Sequence, residues 1–103
     1  MEELIGSVKK LVDEELQRAN SENGDKFPTM HDGYGVILEE FQETQEELDR
    51  ANEKLKIIWS CIRQDNESGA VQGAQLLKKR AILTACEAIQ VAAMAEKFEQ
   101  SFK

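Results

Sequence analysis

Apolar residues recur along the first part of the chain at the spacing of an amphipathic helix. They follow the i, i+3, i+4, i+7 pattern, and charged or amide side chains fill the opposite side. These apolar residues are Leu4, Ile5, Val8, Leu11, Val12 and Leu16. The pattern predicts a first helix over residues 1–20. The polar, glycine-containing stretch from Asn20 to Asp25 is typical of a loop.

A second helix is predicted over residues 30–63. Thr29 precedes it and Asp32 follows three residues later, which is the arrangement of a capping box. Its apolar residues share one face: Tyr34, Ile37, Leu38, Phe41, Leu48, Ala51, Leu55, Ile58, Trp59 and Ile62. The three aromatic residues of this face are interpreted as core, with base stacking as the alternative. The segment Gln64–Gly69 is the next predicted break.

The third predicted helix, over residues 70–102, is apolar on nearly all sides between Ala81 and Ala95. Such a helix is packed by neighbours in its own chain or in a second subunit. A 103-residue domain buries only about two-thirds of its unfolded surface. We therefore predict one all-α domain over residues 1–103. It is a bundle of three main helices with long second and third helices, and oligomerisation completes its core.

Composition narrows the range of partners. Thirteen Lys and Arg against twenty Asp and Glu give a net charge of −7, which disfavours nucleic acid and anionic lipid. Ala81–Ala95 is shorter than the roughly 20 residues of a membrane span. The acidic start, Met1–Glu3, is unlike a secretion signal, so a cytoplasmic location is expected. Cys61 and Cys86 with the single His31 cannot form a Cys/His zinc site, and both thiols are expected to be buried and unpaired.

Acidic residues are concentrated on the second helix. Eight acids and one base, Arg50, lie between Asp32 and Glu53. Glu40, Glu43 and Glu47 fall in one stripe at about 100° per residue. Like charges at this spacing repel. A divalent cation would remove the repulsion, because hard cations bind several carboxylate oxygens at once.

Glu87 is the second unusual acid, because it lies on an apolar stripe of the third helix. Gln90, one turn later, offers an amide oxygen. In an antiparallel hairpin of the second and third helices, Glu43 would face Gln90. Glu47 would then face Glu87. Metal binding and an ion pair with a base such as Arg80 both remain open for Glu87.

Two motifs resemble those of the MazG-type all-α nucleoside triphosphate pyrophosphohydrolases. Leu38-Glu39-Glu40-Phe41-Gln42-Glu43 matches the E-E-x-x-E motif of that family. Glu87-Ala88-Ile89-Gln90 matches its E-x-x-D motif except that Gln90 replaces the aspartate. The surrounding sequence is similar to small stand-alone bacterial and phage members, and the resemblance extends roughly from Phe27 to Phe98.

The resemblance implies Mg²⁺-dependent hydrolysis of a nucleoside triphosphate, NTP or dNTP, to the monophosphate and pyrophosphate, with Mn²⁺ as a possible substitute. This activity would clean or control the nucleotide pool. By position, the implied metal ligands are Glu40, Glu43, Glu87 and Gln90. The implied catalytic acids are Glu39 and Glu43. The resemblance also implies a homodimer or a homotetramer.

Two further points stay open in the sequence. Lys54, Lys79 and Arg80 flank the second loop and are candidates for binding phosphate, although solvated helix ends often look the same. Because Gln90 removes one acid, the chain could instead be a non-catalytic helical module for self-association or partner binding. It could also bind nucleotide and metal with slow turnover.

Overall fold

The computed structural model describes all 103 residues. They form three helices with short connections and no strand. Helix α1 spans Glu2–Asn23, α2 spans Met30–Arg63 and α3 spans Glu67–Phe102. The predicted all-α bundle with long second and third helices is confirmed. None of the three helices has the length and apolar character needed to cross a membrane.

Helix α1 ends later than the predicted 1–20 range. Its last residue is Asn23, and Gly24 then adopts a φ of 83° while its N–H donates to Asn20 O at 2.9 Å. Glycine adopts positive φ without steric cost, so it ends helices readily. Within the last turns Arg18 pairs with Glu22 at 3.0 Å. The prediction of a loop from residue 20 is therefore wrong for residues 20–23, which are helical.

Helix α2 has the predicted bounds, and Thr29 caps it as predicted, although the Asp32 carboxylate bonds the Thr29 hydroxyl instead of its backbone N–H. The Thr29 hydroxyl oxygen accepts the Asp32 N–H at 3.1 Å. The same hydroxyl donates to Asp32 Oδ2 at 2.9 Å. These reciprocal bonds satisfy a backbone donor of the first turn, which would otherwise have no partner in the helix.

The turn between α2 and α3 is shorter than predicted. Asp65 adopts a φ of 52°, and the Asn66 N–H donates to Cys61 O at 2.8 Å. The Asp65 N–H donates to Ile62 O at 3.1 Å, which completes a Schellman motif. Asn66 Oδ1 then accepts the Gly69 N–H at 3.0 Å and caps α3. The left-handed residue Asp65 and the N-cap Asn66 thus reverse the direction of the chain between α2 and α3.

The short turn changes the pairing of the two long helices. Helix α3 begins at Glu67, three residues before the predicted 70. Glu47 Oε2 lies 3.5 Å from Arg80 Nη1. The predicted placement of Glu47 opposite Glu87 is therefore wrong, because the sequence-based register assumed a longer loop.

The chain divides into two compact units. The first unit comprises residues 1–42 and 87–103, and it contains the main core. The buried residues of that core are Leu16, Ala19, Phe27, Ala93 and Met94, with Val12, Val36, Ile37 and Phe98 packed against them. Gly33 allows close approach, because a Cβ there would lie 2.6 Å from the Phe98 ring.

The linker between α1 and α2 is held against α3 within the first unit. Lys97 Nζ donates to Gly24 O at 2.8 Å and lies 4.8 Å from the centroid of the Phe27 ring. The Phe27 N–H donates to Ser101 Oγ at 2.9 Å. Lys97 is only 3% exposed. A cation at the C-terminus of α1 is favoured by the helix dipole, and the last turn of α1 carries no base of its own.

The second unit, residues 43–86, contains two helical segments and very little core. Its one buried apolar side chain is Ala51. Its exposed large apolar residues are Leu48, Leu55, Ile57, Trp59, Ile62, Val71, Leu76, Ile82 and Leu83. The segments approach closely at Gly73, where a Cβ would lie 2.9 Å from Ile58 Cγ1.

Several residues predicted to be core are exposed. Tyr34, Phe41 and Trp59 expose 58%, 49% and 60% of their surface. Cys86 is exposed and Cys61 is half-buried, and both are free thiols. The prediction that the two thiols are unpaired is confirmed. The prediction that both are buried is wrong for Cys86. The periodic apolar pattern identifies a face, whereas burial requires a neighbouring element over that face.

Candidate functional site

Two acids that the sequence singled out meet in the first unit. Glu40 lies on α2 and Glu87 lies on α3, and both side chains are half-buried. Each offers a carboxylate oxygen, and these atoms lie within 4.8 Å of each other. Both acids project from the middle of long helices, so the backbone beneath them is rigid.

Glu43 joins this pair from the same helix as Glu40. It follows Glu40 by three residues on α2, which brings it about one turn further along the same face. The carboxylate oxygens of Glu40, Glu43 and Glu87 form one group in which all atoms lie within 4.8 Å of one another. These three residues will be called the carboxylate group.

Gln90 lies against two members of the carboxylate group. With its amide nitrogen turned toward them, it donates to Glu40 Oε2 at 2.8 Å and to Glu87 Oε2 at 3.2 Å. The predicted register placed Gln90 opposite Glu43, and the contact with Glu40 lies one turn away from that position. The amide N–H groups partly offset the negative charge of the two carboxylates. A half-turn of the same amide presents its oxygen instead.

The geometry of the carboxylate group suits a hard divalent cation. Mg²⁺ binds oxygen at about 2.0–2.1 Å in an octahedron, so two ligands of one ion lie roughly 3–4 Å apart. The oxygens of the carboxylate group lie within 4.8 Å of one another, so the glutamate side chains would have to rotate to bind one ion. The group contains neither histidine nor cysteine, which favours Mg²⁺ or Mn²⁺ over softer metals.

The other predicted site residues lie elsewhere. Glu39 is exposed and is not a member of the carboxylate group. In the second unit, Lys54 is half-buried and Lys79 is exposed. The Arg80 guanidinium lies beside Glu47, so its charge already has an anionic partner.

The acidic stripe predicted on α2 divides into two parts with different partners. Glu47 accepts a hydrogen bond from Arg50 Nη1 at 2.6 Å in addition to its contact with Arg80. The sequence-based interpretation of Glu47 as part of a cation-binding stripe missed both arginines. The i, i+3 spacing of Glu47 and Arg50 was a readable signal for one of them.

Lys97 is a second residue that sequence reasoning missed. It is the one buried charged residue of the chain, and it follows Gln90 by seven residues on α3. Seven residues return a helix to nearly the same face, so this spacing could have been read from the sequence. Its burial could not, because it depends on the distant linker beside Phe27.

Comparisons of this chain with protein-family models, curated proteins and solved structures find no match. The resemblance to MazG-type enzymes therefore rests on the two sequence motifs. The carboxylate group and its surroundings are the structural features that bear on function.

Proposed function

We propose that this chain is a Mg²⁺-dependent nucleoside triphosphate pyrophosphohydrolase of MazG type. The observation that supports the proposal is the carboxylate group, in which acids from two sequence motifs come within 4.8 Å of one another. Three carboxylates from rigid helices are a typical ligand set for a metal that binds phosphate oxygens. The motif order along the chain supports the same proposal.

The chemistry follows from the residue types. A bound Mg²⁺ would neutralise the negative charge that develops on the phosphoryl oxygens. A water molecule would attack the α-phosphorus while Glu39 or Glu43 accepts its proton. The bond from the α-phosphorus to the bridging oxygen would break, and pyrophosphate would leave with the electron pair of that bond. Gln90 would supply an amide oxygen or orient the two neighbouring carboxylates.

Pyrophosphate release tests the proposal directly. The protein is incubated with a panel of NTPs and dNTPs in Mg²⁺ or Mn²⁺, and released pyrophosphate is quantified. We expect release from at least one nucleotide and its loss in Glu43→Gln and Glu87→Gln. Glu46→Gln is the matched control, because Glu46 is exposed on the same helix and lies outside the carboxylate group. Absence of release with every nucleotide, together with no metal-dependent rise in Tm, contradicts the proposal.

The second candidate is a non-catalytic helical module that binds a partner. Two observations favour it: Gln90 replaces an acid of the motif, and the second unit leaves most of its large apolar residues exposed. Gln90→Asp distinguishes the candidates. In a slow enzyme, the restored acid should raise metal affinity and pyrophosphate release. In a binding module it should change neither activity nor partner binding.

We further propose that the active form is a homodimer or a homotetramer. Two helical segments around Ala51 alone bury too little apolar surface to be stable in water. Exposed apolar residues typically mark an interface where they form a contiguous patch. Sedimentation across a concentration series should therefore show self-association. A monomer at all concentrations, with a Tm that does not depend on concentration, would exclude it.

A further inference from the structure

Large apolar side chains recur every seven residues along one side of α2, and all of them are exposed. Tyr34 and Phe41 occupy this interval early in the helix, and Leu48, Leu55 and Ile62 occupy it within the second unit. Each exposes between 49% and 58% of its surface. Positions seven residues apart return to within about 20° of the same side of a helix, so these side chains form a stripe. Such a repeat is typical of a helix that packs lengthwise against another helix.

Asn52 and Trp59 extend this stripe in the second unit. They follow Leu48 and Leu55 by four residues, so the spacing alternates between four and three, as it does at the core positions of a coiled coil. These five exposed residues will be called the α2 seam: Leu48, Asn52, Leu55, Trp59 and Ile62. A single polar residue at a core position specifies the register of a coiled coil at some cost in stability. Asn52 is the one polar residue of the α2 seam.

Helix α3 widens the α2 seam into a grooved face. A cavity of about 400 Å³ is lined by residues of both helices, with Leu48 and Leu55 from the seam and Leu77 from α3. A second cavity, of about 420 Å³, is lined by Ile62 and Ala70 nearer the turn. When two helices pack, the side chains of one enter such recesses between the side chains of the other. The grooved face therefore suits a helical partner.

The charge of α2 changes sign at the middle of the α2 seam. Residues 43–53 carry five acids and one base, whereas residues 54–63 carry three bases and no acid. Helix α3 contributes a base to the acidic half, where Arg80 contacts Glu47, so the change of sign belongs to α2 and not to the hairpin as a whole. Two parallel copies of α2 would place like charges at the same level. Two antiparallel copies place the acidic half of each beside the basic half of the other, which favours association.

The residues along one flank of the α2 seam show the same reversal of charge. Asp49, Lys56 and Arg63 each follow a seam residue by one position, so they lie on one side of the stripe. Asp49 and Lys56 are exposed, and none of the chain's ion pairs includes either of them. An antiparallel neighbour related by a two-fold axis would pair these two residues twice, once on each side of the axis.

We infer that a second copy of this chain covers the α2 seam, with the two α2 segments antiparallel and a two-fold axis close to Asn52. The inference rests on the proposed self-association. Leu48 of each copy then lies about level with Trp59 of the partner subunit, and Asp49 lies about level with Lys56 of the partner subunit. The two hairpins together form a four-helix bundle, whose interior buries the apolar side chains that one hairpin leaves exposed.

Charge reversal tests the pairing of the two copies, with the dimer Kd measured by sedimentation in low salt. Asp49→Lys and Lys56→Asp each bring like charges together at two symmetric positions, so each should weaken the dimer at least about tenfold. The double variant Asp49→Lys/Lys56→Asp exchanges the two charges and should restore the Kd to within about threefold of its original value. Glu46→Lys is the matched control, because Glu46 is exposed and lies two residues before Leu48, on the opposite side of α2.

Leu55→Gln tests the apolar contact at an exposed position, where the substitution leaves the fold of one copy intact. We expect the variant to be monomeric at concentrations at which the original chain is a dimer. Leu11→Gln is the matched control, because Leu11 is 47% exposed on α1, against 54% for Leu55, and lies outside the α2 seam. It should leave the dimer unchanged.

Disulfide formation tests the direction of the pairing. Cys61 and Cys86 are first replaced by serine, and Asn52→Cys or Gln45→Cys is then introduced at an exposed position of α2. In the antiparallel pair the two copies of residue 52 lie near the two-fold axis, whereas the two copies of residue 45 lie roughly 20–25 Å apart along the helices. Oxidation should therefore link Asn52→Cys into a dimer and leave Gln45→Cys unlinked. A parallel pair would link both variants.

The outcomes separate this inference from the proposed function. A dimer that persists in Leu55→Gln uses another surface, so the inference fails and the proposed self-association stands. Efficient linking of Gln45→Cys, or a double charge variant as weak as the single ones, overturns the antiparallel pairing. A monomer at every concentration removes both the inference and the proposed oligomer. Pyrophosphate release by such a monomer would leave the proposed hydrolysis intact.

Discussion

The two units of this chain contain segments of the same two long helices but bury them to different extents. In the first unit α1 adds a third segment, and residues such as Leu16, Phe27 and Met94 are buried. In the second unit there are only two segments, and Ala51 is the one buried apolar side chain. The apolar pattern along α2 continues through both units. The difference indicates that a third packed element buries part of the apolar face, although Leu4, Ile5 and Leu11 remain exposed even in the first unit.

The acidic residues of the two units also differ in their hydrogen-bond and ion-pair partners. In the first unit, an amide lies between two acids, since Gln90 contacts both Glu40 and Glu87. In the second unit, Glu47 lies between two arginines. Glu47 thus has two cationic partners, whereas Glu40 and Glu87 share the amide of Gln90. The proposed metal site therefore uses the acids around Gln90 and leaves out Glu47.

The largest expected effect comes from truncating the core of the first unit. Met94→Ala should lower the free energy of unfolding by about 2–5 kcal/mol, because it leaves a cavity among buried side chains. Leu55→Ala is the control in the second unit, where Leu55 is 54% exposed. In dilute protein it should cost less than about 1 kcal/mol. Urea unfolding measures both, and equal costs would remove the distinction between the units.

Stabilisation by bound metal should distinguish Glu87 from Glu47. Mg²⁺ at a hundred times its Kd should stabilise the protein by about 2.7 kcal/mol, because it binds only the folded chain. Glu87→Gln should eliminate this stabilisation, whereas Glu47→Gln should preserve it. Thermal unfolding with and without Mg²⁺ provides the measurement. If both variants lose the stabilisation equally, the arginines do not separate Glu47 from the metal site.

Two glycines of α2 offer a matched test of close packing in the first unit. A Cβ at Gly33 would meet the Phe98 ring at 2.6 Å, whereas a Cβ at Gly35 would meet nothing within 4 Å. Gly35→Ala should stabilise the helix by about 0.5–1 kcal/mol through its propensity. Gly33→Ala should be less stable than Gly35→Ala by about 1–3 kcal/mol, because of overpacking. Similar stabilities in denaturant would show that Phe98 moves aside freely.

The smallest expected effect concerns Arg80, one of the two arginines beside Glu47 in the second unit. Arg80→Met should cost no more than about 1 kcal/mol, because Arg50 still donates to Glu47. A double-mutant cycle with Glu47→Gln should give a coupling of about 0.5 kcal/mol. High salt should reduce it, since the arginine is partly exposed. A coupling of zero at low salt argues that the contact contributes nothing to stability.

Local signals in the sequence predicted much of the fold. Thr29 and Asp32 correctly marked the start of α2. Spacing on α2 and the apolar stripe around Glu87 singled out the unusual acids, and the two motifs supplied the ligand set Glu40, Glu43 and Glu87. The predicted register of α2 against α3 was wrong, because it depends on the turn residues Asp65 and Asn66. A left-handed aspartate followed by an asparagine cap is a weak signal in a polar stretch, and it shifted α3 by about one turn.

The sequence by itself determined which segments are helical, which face of each is apolar, and that Glu40, Glu43 and Glu87 are unusual acids. These properties depend on residues a few positions apart, and helix geometry converts such spacing into position. Only the tertiary structure decided that Arg80 lies beside Glu47, that Lys97 is buried beside Phe27, and that Trp59 is exposed. Each of these depends on contacts between residues far apart in the chain, for which the register of α2 and α3 must first be known.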